Sequence, residues 1–291
     1  MSPEPFASIV IATCGRRRPA LVDALESLLS QDYPAERYEI VVVANGTAVP
    51  PVPQASPRVR LVSLPEANAS RARNAGVSAS RGDPVVFVDD DVVAPSGWLR
   101  ALVMGSLRHP EAGCVGGPVR ARFDARPPRT CGRHELAGTV LDEGVDERDV
   151  DEVWGANMAV TRKALELAGP LFERARAVEE SEWQQRLLRA GGRVVYVPDA
   201  WLWHRRAGSD LRLPVLVRRA FQLGYTVVAL GQEGPAAKFR RQLIDALRHA
   251  FRARCTRGLT DAARAVGSIW AIAVGRRRRP WATSLRTSRR R

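Results

Sequence analysis

Long apolar segments, a leader sequence and clustered cysteines are all lacking from this 291-residue chain. No stretch of about 20 uncharged apolar residues occurs, so no transmembrane helix of ordinary length is expected. The N-terminus has no basic leader before its short apolar run, which indicates a strand rather than a signal peptide. The cysteines are scattered without a CxxC pair, which predicts free thiols in a reducing compartment for Cys14, Cys114, Cys131 and Cys255. These absences predict a protein made and kept in the cytoplasm.

Several well-known catalytic motifs are also missing. There is no GxxxxGK[ST] phosphate loop, and the first predicted strand is followed by Cys14-Gly15-Arg16 instead of GxGxxG. Neither a GxSxG elbow nor an HExxH helix is present. Hydride transfer, P-loop phosphoryl transfer and serine-type hydrolysis therefore lose their usual sequence support.

Basic residues are abundant but unevenly placed. The chain has 45 Lys and Arg against 31 Asp and Glu, a formal net charge of +14. Residues 1–204 hold 24 basic and 27 acidic side chains, a net of −3, whereas residues 205–291 hold 21 and 4, a net of +17. The excess of positive charge belongs to the C-terminal segment. It therefore gives no information about the chemistry of residues 1–204.

Apolar runs alternate with amphipathic helical patterns along the first two thirds of the chain. Strands are predicted at Ser8–Thr13, Glu39–Val43, Val59–Leu64 and Pro84–Val88, and helices from Pro19 and over Ala69–Ala79. Further on we predict a helix over Trp98–Leu107, a strand pair within Ala112–Phe123, helices over Val160–Ala168 and Glu180–Ala190, and a last strand over Arg193–Val197. This alternation predicts an α/β fold with a mainly parallel sheet, whose ligands gather at the carboxyl ends of the strands.

The strongest local signal is Asp89-Asp90-Asp91, which directly follows the apolar run PVVFV. Three adjacent carboxylates repel one another, and a divalent cation such as Mg²⁺ or Mn²⁺ removes that cost while bridging to substrate phosphates. Alternation along an extended chain puts Asp89 and Asp91 on one side and Asp90 on the other. A solvated acidic turn is the competing interpretation, but the apolar residues on both sides of the triplet favour a site.

Three later features are weak when taken singly. Glu179 and Glu180 open a predicted helix, where carboxylates ordinarily compensate the helix dipole. His204 follows the aromatic segment Trp201-Leu202-Trp203, and a histidine beside aromatics is more often packed than a ligand. The turn Trp154–Asn157 contains a glycine ahead of a predicted helix, and by itself indicates only a turn.

Taken in their order along the chain, these motifs resemble those of the family 2 glycosyltransferases, which have the nucleotide-diphospho-sugar transferase (GT-A) fold. The resemblance covers roughly residues 6–205 and rests on the order of SIVIAT, EIVVVANGT, SRARNAG, VVFVDDDVVAP with its DxD motif, GAN, EESEWQQRLLRAGG and the late His204. It implies a catalytic domain over residues 1–205, with a mainly parallel central sheet flanked by helices. Residues 206–291 then form a basic, amphipathic helical extension.

The resemblance also implies roles for individual residues. Nucleotide-sugar binding falls to Thr13, Asn45, Arg73, Asp89 and Asp90. A divalent cation, Mn²⁺ or Mg²⁺, is expected on Asp89, Asp91 and His204. The acceptor side is assigned to Gly155, Asn157 and Trp183, and the catalytic carboxylates to Glu180, as base, with Glu179 beside it.

These roles imply an inverting single displacement, in which Glu180 accepts the proton of an acceptor hydroxyl attacking the anomeric carbon. One position departs from the family, because Ala44 stands where an acidic residue usually contacts the base. The departure leaves the nucleotide base undetermined, and it touches neither the metal ligands nor Glu180.

The C-terminal segment combines apolar and basic patterns. Lys238–Ala253 is predicted as an amphipathic helix, and the apolar run Ala265–Gly275 ends at Arg276–Arg279. Eleven helical residues span about 16 Å, which suits a helix lying in a membrane interface rather than crossing it. An anionic membrane surface at the inner face of the plasma membrane, and a lipid-linked or cell-envelope glycan acceptor, fit this pattern. A solvated arginine-rich tail fits it equally well.

Two other functions stay open at this point. One is a nucleic-acid-binding protein with a degenerate, inactive transferase domain, although no nucleic-acid-binding motif accompanies the charge and nucleic acid is disfavoured as a partner. The other is a phosphotransferase using the aspartate triplet as nucleophile, which is disfavoured because no DxDx[TS] arrangement follows the strand.

Overall fold

A computed structural model describes residues 4–15, 18–46, 56–128, 139–170, 179–229, 244 and 256–275. Strands in these ranges are β1 (Ala7–Thr13), β2 (Tyr38–Asn45), β3 (Val59–Leu64), β4 (Val85–Val88), β5 (Val92–Val93), β6 (Ala112–Gly116), β7 (Val119–Phe123), β8 (Arg148–Asp149), β9 (Asn157–Val160), β10 (Arg193–Tyr196) and β11 (Leu202–Arg206). Helices are α1 (Arg18–Leu29), α2 (Ala69–Ala79), α3 (Trp98–Arg108), α4 (Arg162–Ala168), α5 (Glu179–Arg189), α6 (Leu213–Ala229) and α7 (Thr256–Gly275).

The main sheet has the strand order β3-β2-β1-β4-β9-β6-β10-β8. Neighbours β3, β2, β1 and β4 are parallel, β9 is antiparallel to both β4 and β6, and β10 runs parallel to β6. The predicted α/β class with a mainly parallel central sheet is confirmed.

Both faces of the central strands are covered, which explains their continuous apolar sequences. In β1, Ile9 and Ile11 point into one hydrophobic cluster, and Val10 points into the cluster on the opposite face. Because successive side chains alternate, the middle residues of such a strand are apolar on both sides and contribute to both layers. The sheet edge where these strands end is therefore the place where polar side chains can gather.

A small second sheet, with the order β5-β11-β7, joins the region of the aspartate triplet to the segment Leu202–Arg206. Strand β11 runs antiparallel to β5, with His204 opposite Val92, and parallel to β7. The backbone N–H of Arg205 donates to the carbonyl oxygen of Asp91 over 2.8 Å. This pairing positions His204 against residues more than a hundred positions earlier in the chain.

Two features of the sequence-based prediction are corrected. Residues Asn157–Val160 form β9, so the helix expected over Val160–Ala168 begins only at Arg162. His204 lies within β11 rather than after the last strand. In both cases a short segment becomes a strand because neighbouring strands supply its hydrogen-bond partners, an effect that local sequence does not carry.

The chain divides into two compact units, one of residues 1–125 and 139–207 and the other of residues 126–138 and 208–291. The second unit contains α6 and α7, which pack against each other. The run Ala265–Gly275 forms the end of α7, while the helix predicted over Lys238–Ala253 lies outside the described residues except for Ile244. Among the described helices, none combines the length and apolarity needed to cross a bilayer.

Candidate active site

Asp89, Asp91 and His204 form a compact group at the carboxyl end of β4. Nε2 of His204 lies 3.2 Å from Oδ2 of Asp89 and 3.4 Å from Oδ1 of Asp91. One ligand atom from each residue falls within 4.8 Å of the others. His204 and Asp91 are buried, whereas the side chain of Asp89 is 36% exposed. Two carboxylates and an imidazole this close together, one of them partly exposed, suit a divalent cation shared with a ligand.

Hydrogen bonding orients the histidine toward the carboxylates. Its Nδ1 lies 3.1 Å from the backbone oxygen of Arg205, which can only accept, so Nδ1 carries a proton. Nε2 is then the ring nitrogen that faces Asp89 and Asp91. Holding a metal-binding imidazole through its other nitrogen is a common arrangement in metal sites.

The carboxyl group of Asp89 is held ionised by its surroundings. Burial alone raises its pKa, but the hydrogen bond from His204 and the positive charges of Arg73, His204 and Arg206 outweigh that effect and lower the pKa. Arg73 contributes directly, with a guanidinium nitrogen 3.2 Å from Oδ1 of Asp89. The carboxylates of Asp89 and Asp91 can thus attract a cation, and the guanidinium of Arg73 beside them can attract an anion.

The residues predicted for the nucleotide lie along the same sheet edge. Asp90 lies outside the group of Asp89, Asp91 and His204 and accepts a hydrogen bond from the Thr13 hydroxyl over 2.5 Å. The side-chain amide of Asn45 donates to the backbone oxygen of Thr13 over 3.0 Å. These contacts link the ends of β1, β2 and β4 into one polar surface beside Arg73.

The predicted base and the predicted acceptor-side glycine are in contact. A Cβ atom on Gly155 would lie 3.3 Å from the carboxyl carbon of Glu180, so the glycine leaves just enough room for that side chain. Glu180 lies in the first turn of α5 and is half-buried. Glu179 begins α5, but its side chain lies outside the described residues.

Two predicted acceptor-side residues, Asn157 and Trp183, are fully buried. Asn157 accepts a hydrogen bond from the Trp98 indole over 2.8 Å and donates to the backbone oxygens of Pro118 and Ala200. Trp183 is packed in the hydrophobic core and donates to the Gly169 oxygen. Both side chains are therefore anchored within the fold, and their assignment to the acceptor side stays a prediction.

Sequence reasoning missed two residues of this region. Gln184, fully buried one turn after Glu180, accepts from the Val153 N–H and donates to the oxygens of Val153 and Glu180. This amide holds the segment before Gly155 against α5. Arg206 lies on the same face of β11 as His204, and its charge acts on Asp89. The alternation of Leu202, His204 and Arg206 indicates one face of a strand, but Arg206 falls within the predicted basic extension, which begins at residue 206.

Comparisons with known proteins agree with this geometry. The family model described as Glycosyl transferase family 2 matches residues 8–167. Succinoglycan biosynthesis protein ExoM of Rhizobium meliloti (strain 1021) is 28% identical over 235 residues, which cover 77% of this chain and 75% of that protein.

Two solved structures share the fold. One is the mannosyltransferase PcManGT from Pyrobaculum calidifontis in complex with GDP-Man and Mn²⁺, with a TM-score of 0.62, 18% identity and coverage of 92% of this chain and 88% of that one. The other is GalNAc-T7 with UDP, GalNAc and Mn²⁺, with a TM-score of 0.56, 12% identity and coverage of 75% of this chain and 48% of that one. Both are GT-A glycosyltransferases. The family model spans more than half of the chain, and the protein belongs to glycosyl transferase family 2.

Proposed function

We propose that this glycosyltransferase is metal-dependent and inverting, and that it moves a sugar from a nucleotide-diphospho-sugar to an acceptor hydroxyl. The observation that carries the proposal is the group of Asp89, Asp91 and His204 beside Arg73. Its two carboxylates repel each other unless positive charge lies between or beside them, and the group follows β4 at the sheet edge where α/β folds bind ligands.

A divalent cation, Mn²⁺ or Mg²⁺, is the expected occupant of this group. The oxygen and imidazole donors fit such an ion, and both structural neighbours hold Mn²⁺ together with a nucleotide. When bound, the ion supplies Lewis-acid neutralisation of a diphosphate leaving group.

The donor nucleotide is expected to contact Thr13, Asn45, Arg73 and Asp90. Arg73 offers a guanidinium beside the acidic group, which suits a diphosphate oxygen. Ala44, where the family usually has an acid, leaves the base of the nucleotide undetermined.

The transfer step proposed here assigns the proton to Glu180. The acceptor oxygen attacks the anomeric carbon as the bond from that carbon to the phosphate oxygen breaks, and the hydroxyl proton passes to the Glu180 carboxylate. One displacement inverts the anomeric configuration. Gly155 leaves space for Glu180 and Gln184 holds the adjoining segment, so this carboxylate is positioned by its neighbours before substrate binds. Glu179 is assigned a place beside the base, and Gly155, Asn157 and Trp183 are assigned to the acceptor side.

For the acceptor we propose a hydroxyl of a lipid-linked or cell-envelope glycan. The similarity to a succinoglycan biosynthesis protein supports a glycan acceptor. The enzyme is then expected in the cytoplasm, peripheral on the inner face of the plasma membrane.

Glu180→Gln tests the assignment of the base. We expect turnover of a nucleotide-sugar to fall by about 10²–10⁴-fold, because the variant keeps the shape of the side chain but cannot take the proton. The matched control is Glu182→Gln on the same helix, whose carboxylate pairs with Arg186 at 2.9 Å, and it should retain turnover. Donor binding, measured by calorimetry with UDP- and GDP-sugars and Mn²⁺, should be unchanged in both variants.

Full turnover by Glu180→Gln would remove Glu180 from the mechanism. Proton NMR of the product tests the stereochemistry separately, and a product with the donor's anomeric configuration would exclude the single displacement.

A further inference from the structure

The outward face of α7 is apolar along the length of the helix. Among the α7 side chains that the structure describes, every exposed one is apolar: Leu259, Ala262, Val266, Ile269, Trp270 and Ala273. Leu259, Val266 and Trp270 are 54%, 54% and 58% exposed, and their spacing places them on one stripe of the helix. We call these six residues the apolar face of α7.

The opposite face of α7, which packs against α6, carries polar side chains. Thr260, Asp261 and Ser268 are buried there. The hydroxyl of Ser268 donates to the backbone oxygen of Gly224 in α6 over 3.1 Å. A Cβ atom on Gly224 or on Gly267 would overlap backbone of the partner helix, so the two helices approach closely at these glycines.

This distribution is the reverse of that in a surface helix surrounded by water. Such a helix turns its apolar stripe to the core and its polar side chains outward. Close packing through small residues, with a hydroxyl bonded across the interface, is instead frequent between helices in an apolar environment. The arrangement indicates that the apolar face of α7 does not contact bulk water when the protein is at work.

Helix α6 differs from α7 in exposing charged and polar side chains. Its exposed described residues are Arg218, Arg219 and Gln222 together with Leu213, Pro214 and Tyr225, a mixed set, whereas those of α7 are all apolar. Both helices belong to the same compact unit, so a general apolar composition of the unit does not account for the difference.

The sequence around α7 indicates the chemistry of what covers its apolar face. Arg276–Arg279 follow the helix directly, and the segment from residue 205 onward carries a net charge of +17. A bilayer with anionic headgroups offers both an apolar layer for the face and negative charge for the arginines. Trp270, the most exposed of the large residues on this face, is a residue type enriched at membrane–water interfaces.

We propose that the apolar face of α7 docks on the surface of an anionic phospholipid bilayer, with the helix axis in the membrane plane. None of the described helices is long and apolar enough to cross a bilayer, so α7 lies in the interface. The arginines that follow contact lipid phosphates. Docking does not require sugar transfer. For the proposed function, docking would bring the enzyme close to acceptors that are held at the membrane.

Vesicle sedimentation of the full chain tests this surface. The wild type should bind vesicles of phosphatidylcholine with about 30% phosphatidylglycerol, and bind at least about ten-fold more weakly to pure phosphatidylcholine or at about 0.5 M NaCl. Val266→Asp/Trp270→Asp should weaken binding to the anionic vesicles by at least about ten-fold, because it introduces charge into the buried layer. The control variants are Leu107→Asp and Leu167→Asp, at positions 51% and 50% exposed elsewhere in the chain, and they should bind as the wild type does.

Several results would overturn the proposal. Equal binding by wild type and Val266→Asp/Trp270→Asp would do so, as would no binding to anionic vesicles. A double variant that converts a dimer to a monomer in light scattering, with unchanged vesicle binding, would assign the face to a second copy of the chain.

A second measurement avoids a disruptive substitution. Brominated lipids should quench the tryptophan fluorescence of the wild type, and Trp270→Phe should remove a measurable share of that quenching. Identical quenching in both proteins would place Trp270 outside the bilayer and contradict the proposal. Retained nucleotide binding in every variant shows that the catalytic domain is intact, so loss of docking and loss of transferase activity are distinguishable.

Discussion

At the scale of single residues, the site depends on carboxylates whose charge is compensated by specific neighbours. Asp91 shares His204 with Asp89 and is almost completely buried. A buried carboxylate of this kind is costly unless it is paired or binds a cation. Asp91 is therefore the residue on which metal binding should depend most strongly.

Asp91→Ala should abolish Mn²⁺-dependent binding of nucleoside diphosphates, with a loss of about 100-fold or more in affinity, because one of the three ligands is removed. Calorimetry with UDP and GDP, with and without Mn²⁺, measures the effect. Asp32→Asn is the control, since Asp32 is exposed and pairs with Arg100 away from the ligand group. Metal-dependent binding that survives Asp91→Ala would contradict the assignment.

Glu39 is a buried carboxylate outside the site, and its role is structural. Its oxygens accept hydrogen bonds from the Ser8 hydroxyl, the Arg81 backbone N–H and the guanidinium groups of Arg60 and Arg81. Burial raises the pKa of Glu39, but these hydrogen bonds outweigh burial and the net pKa is lowered. A carboxyl group with a lowered pKa stabilises the fold above its unfolded-state pKa, and this stabilisation is lost as the pH falls through the folded-state value.

Glu39→Gln should therefore destabilise the protein by about 1–3 kcal/mol at pH 7 and flatten its loss of stability on acidification. Urea unfolding at pH 7 and at mildly acidic pH measures both effects. The exposed Glu36→Gln should leave the pH dependence as in the wild type. A Glu39→Gln profile parallel to that of the wild type would show that other carboxylates carry the acid sensitivity.

At the scale of elements, the position of Glu180 depends on how α5 meets the segment before β9. The amide of Gln184 binds both the N–H and the oxygen of Val153, and Gly155 follows two residues later against Glu180. Helix α5 and this segment are thus held together, so a small shift of either one moves the Glu180 carboxylate.

Gly155→Ala should lower turnover by about ten-fold or more, because a methyl group 3.3 Å from the Glu180 carboxyl carbon forces that side chain to move. Donor affinity and the unfolding midpoint should change little. Gly97→Ala is the matched control, since a Cβ there meets nothing within 4 Å. Steady-state kinetics compare the two, and equal turnover would show that Glu180 tolerates the crowding.

At the scale of the whole molecule, the net charge of +14 averages two unlike parts. The first 204 residues carry −3 and contain the acidic site, while the remainder carries +17. The alternative of a nucleic-acid-binding protein required a degenerate transferase domain, whereas the chain belongs to glycosyl transferase family 2 and brings Asp89, Asp91 and His204 together. The phosphotransferase alternative is replaced by membership of the glycosyltransferase family.

Ligand binding should stabilise the whole chain. A nucleoside diphosphate with Mn²⁺ at about one hundred times its dissociation constant adds about 2.7 kcal/mol, which corresponds to a rise of roughly 5–10 °C in the unfolding midpoint. Thermal shift measurements across UDP- and GDP-sugars, with Mn²⁺ or with EDTA, should show the rise only when metal and nucleotide are both present. A rise of the same size in EDTA would contradict metal-dependent donor binding.

The sequence by itself determined the α/β class and the central strands. SIVIAT, EIVVV and PVVFV are apolar on both faces because the sheet is covered on both faces, and that pattern is local. The placement of the aspartates directly after β4 followed from the same reasoning. Strands β9 and β11 were missed, because Asn157–Val160 and Leu202–Arg206 owe their conformation to pairing with distant strands.

Only the tertiary structure decided which polar residues meet. His204 contacts Asp89 across 115 positions because β11 pairs with β5, and Gly155 meets Glu180 because Gln184 binds Val153. It also showed that Asn157 and Trp183 are fully buried and that α7 turns its apolar side outward. Periodicity indicates that a strand or helix has an apolar face, but what that face contacts depends on long-range packing.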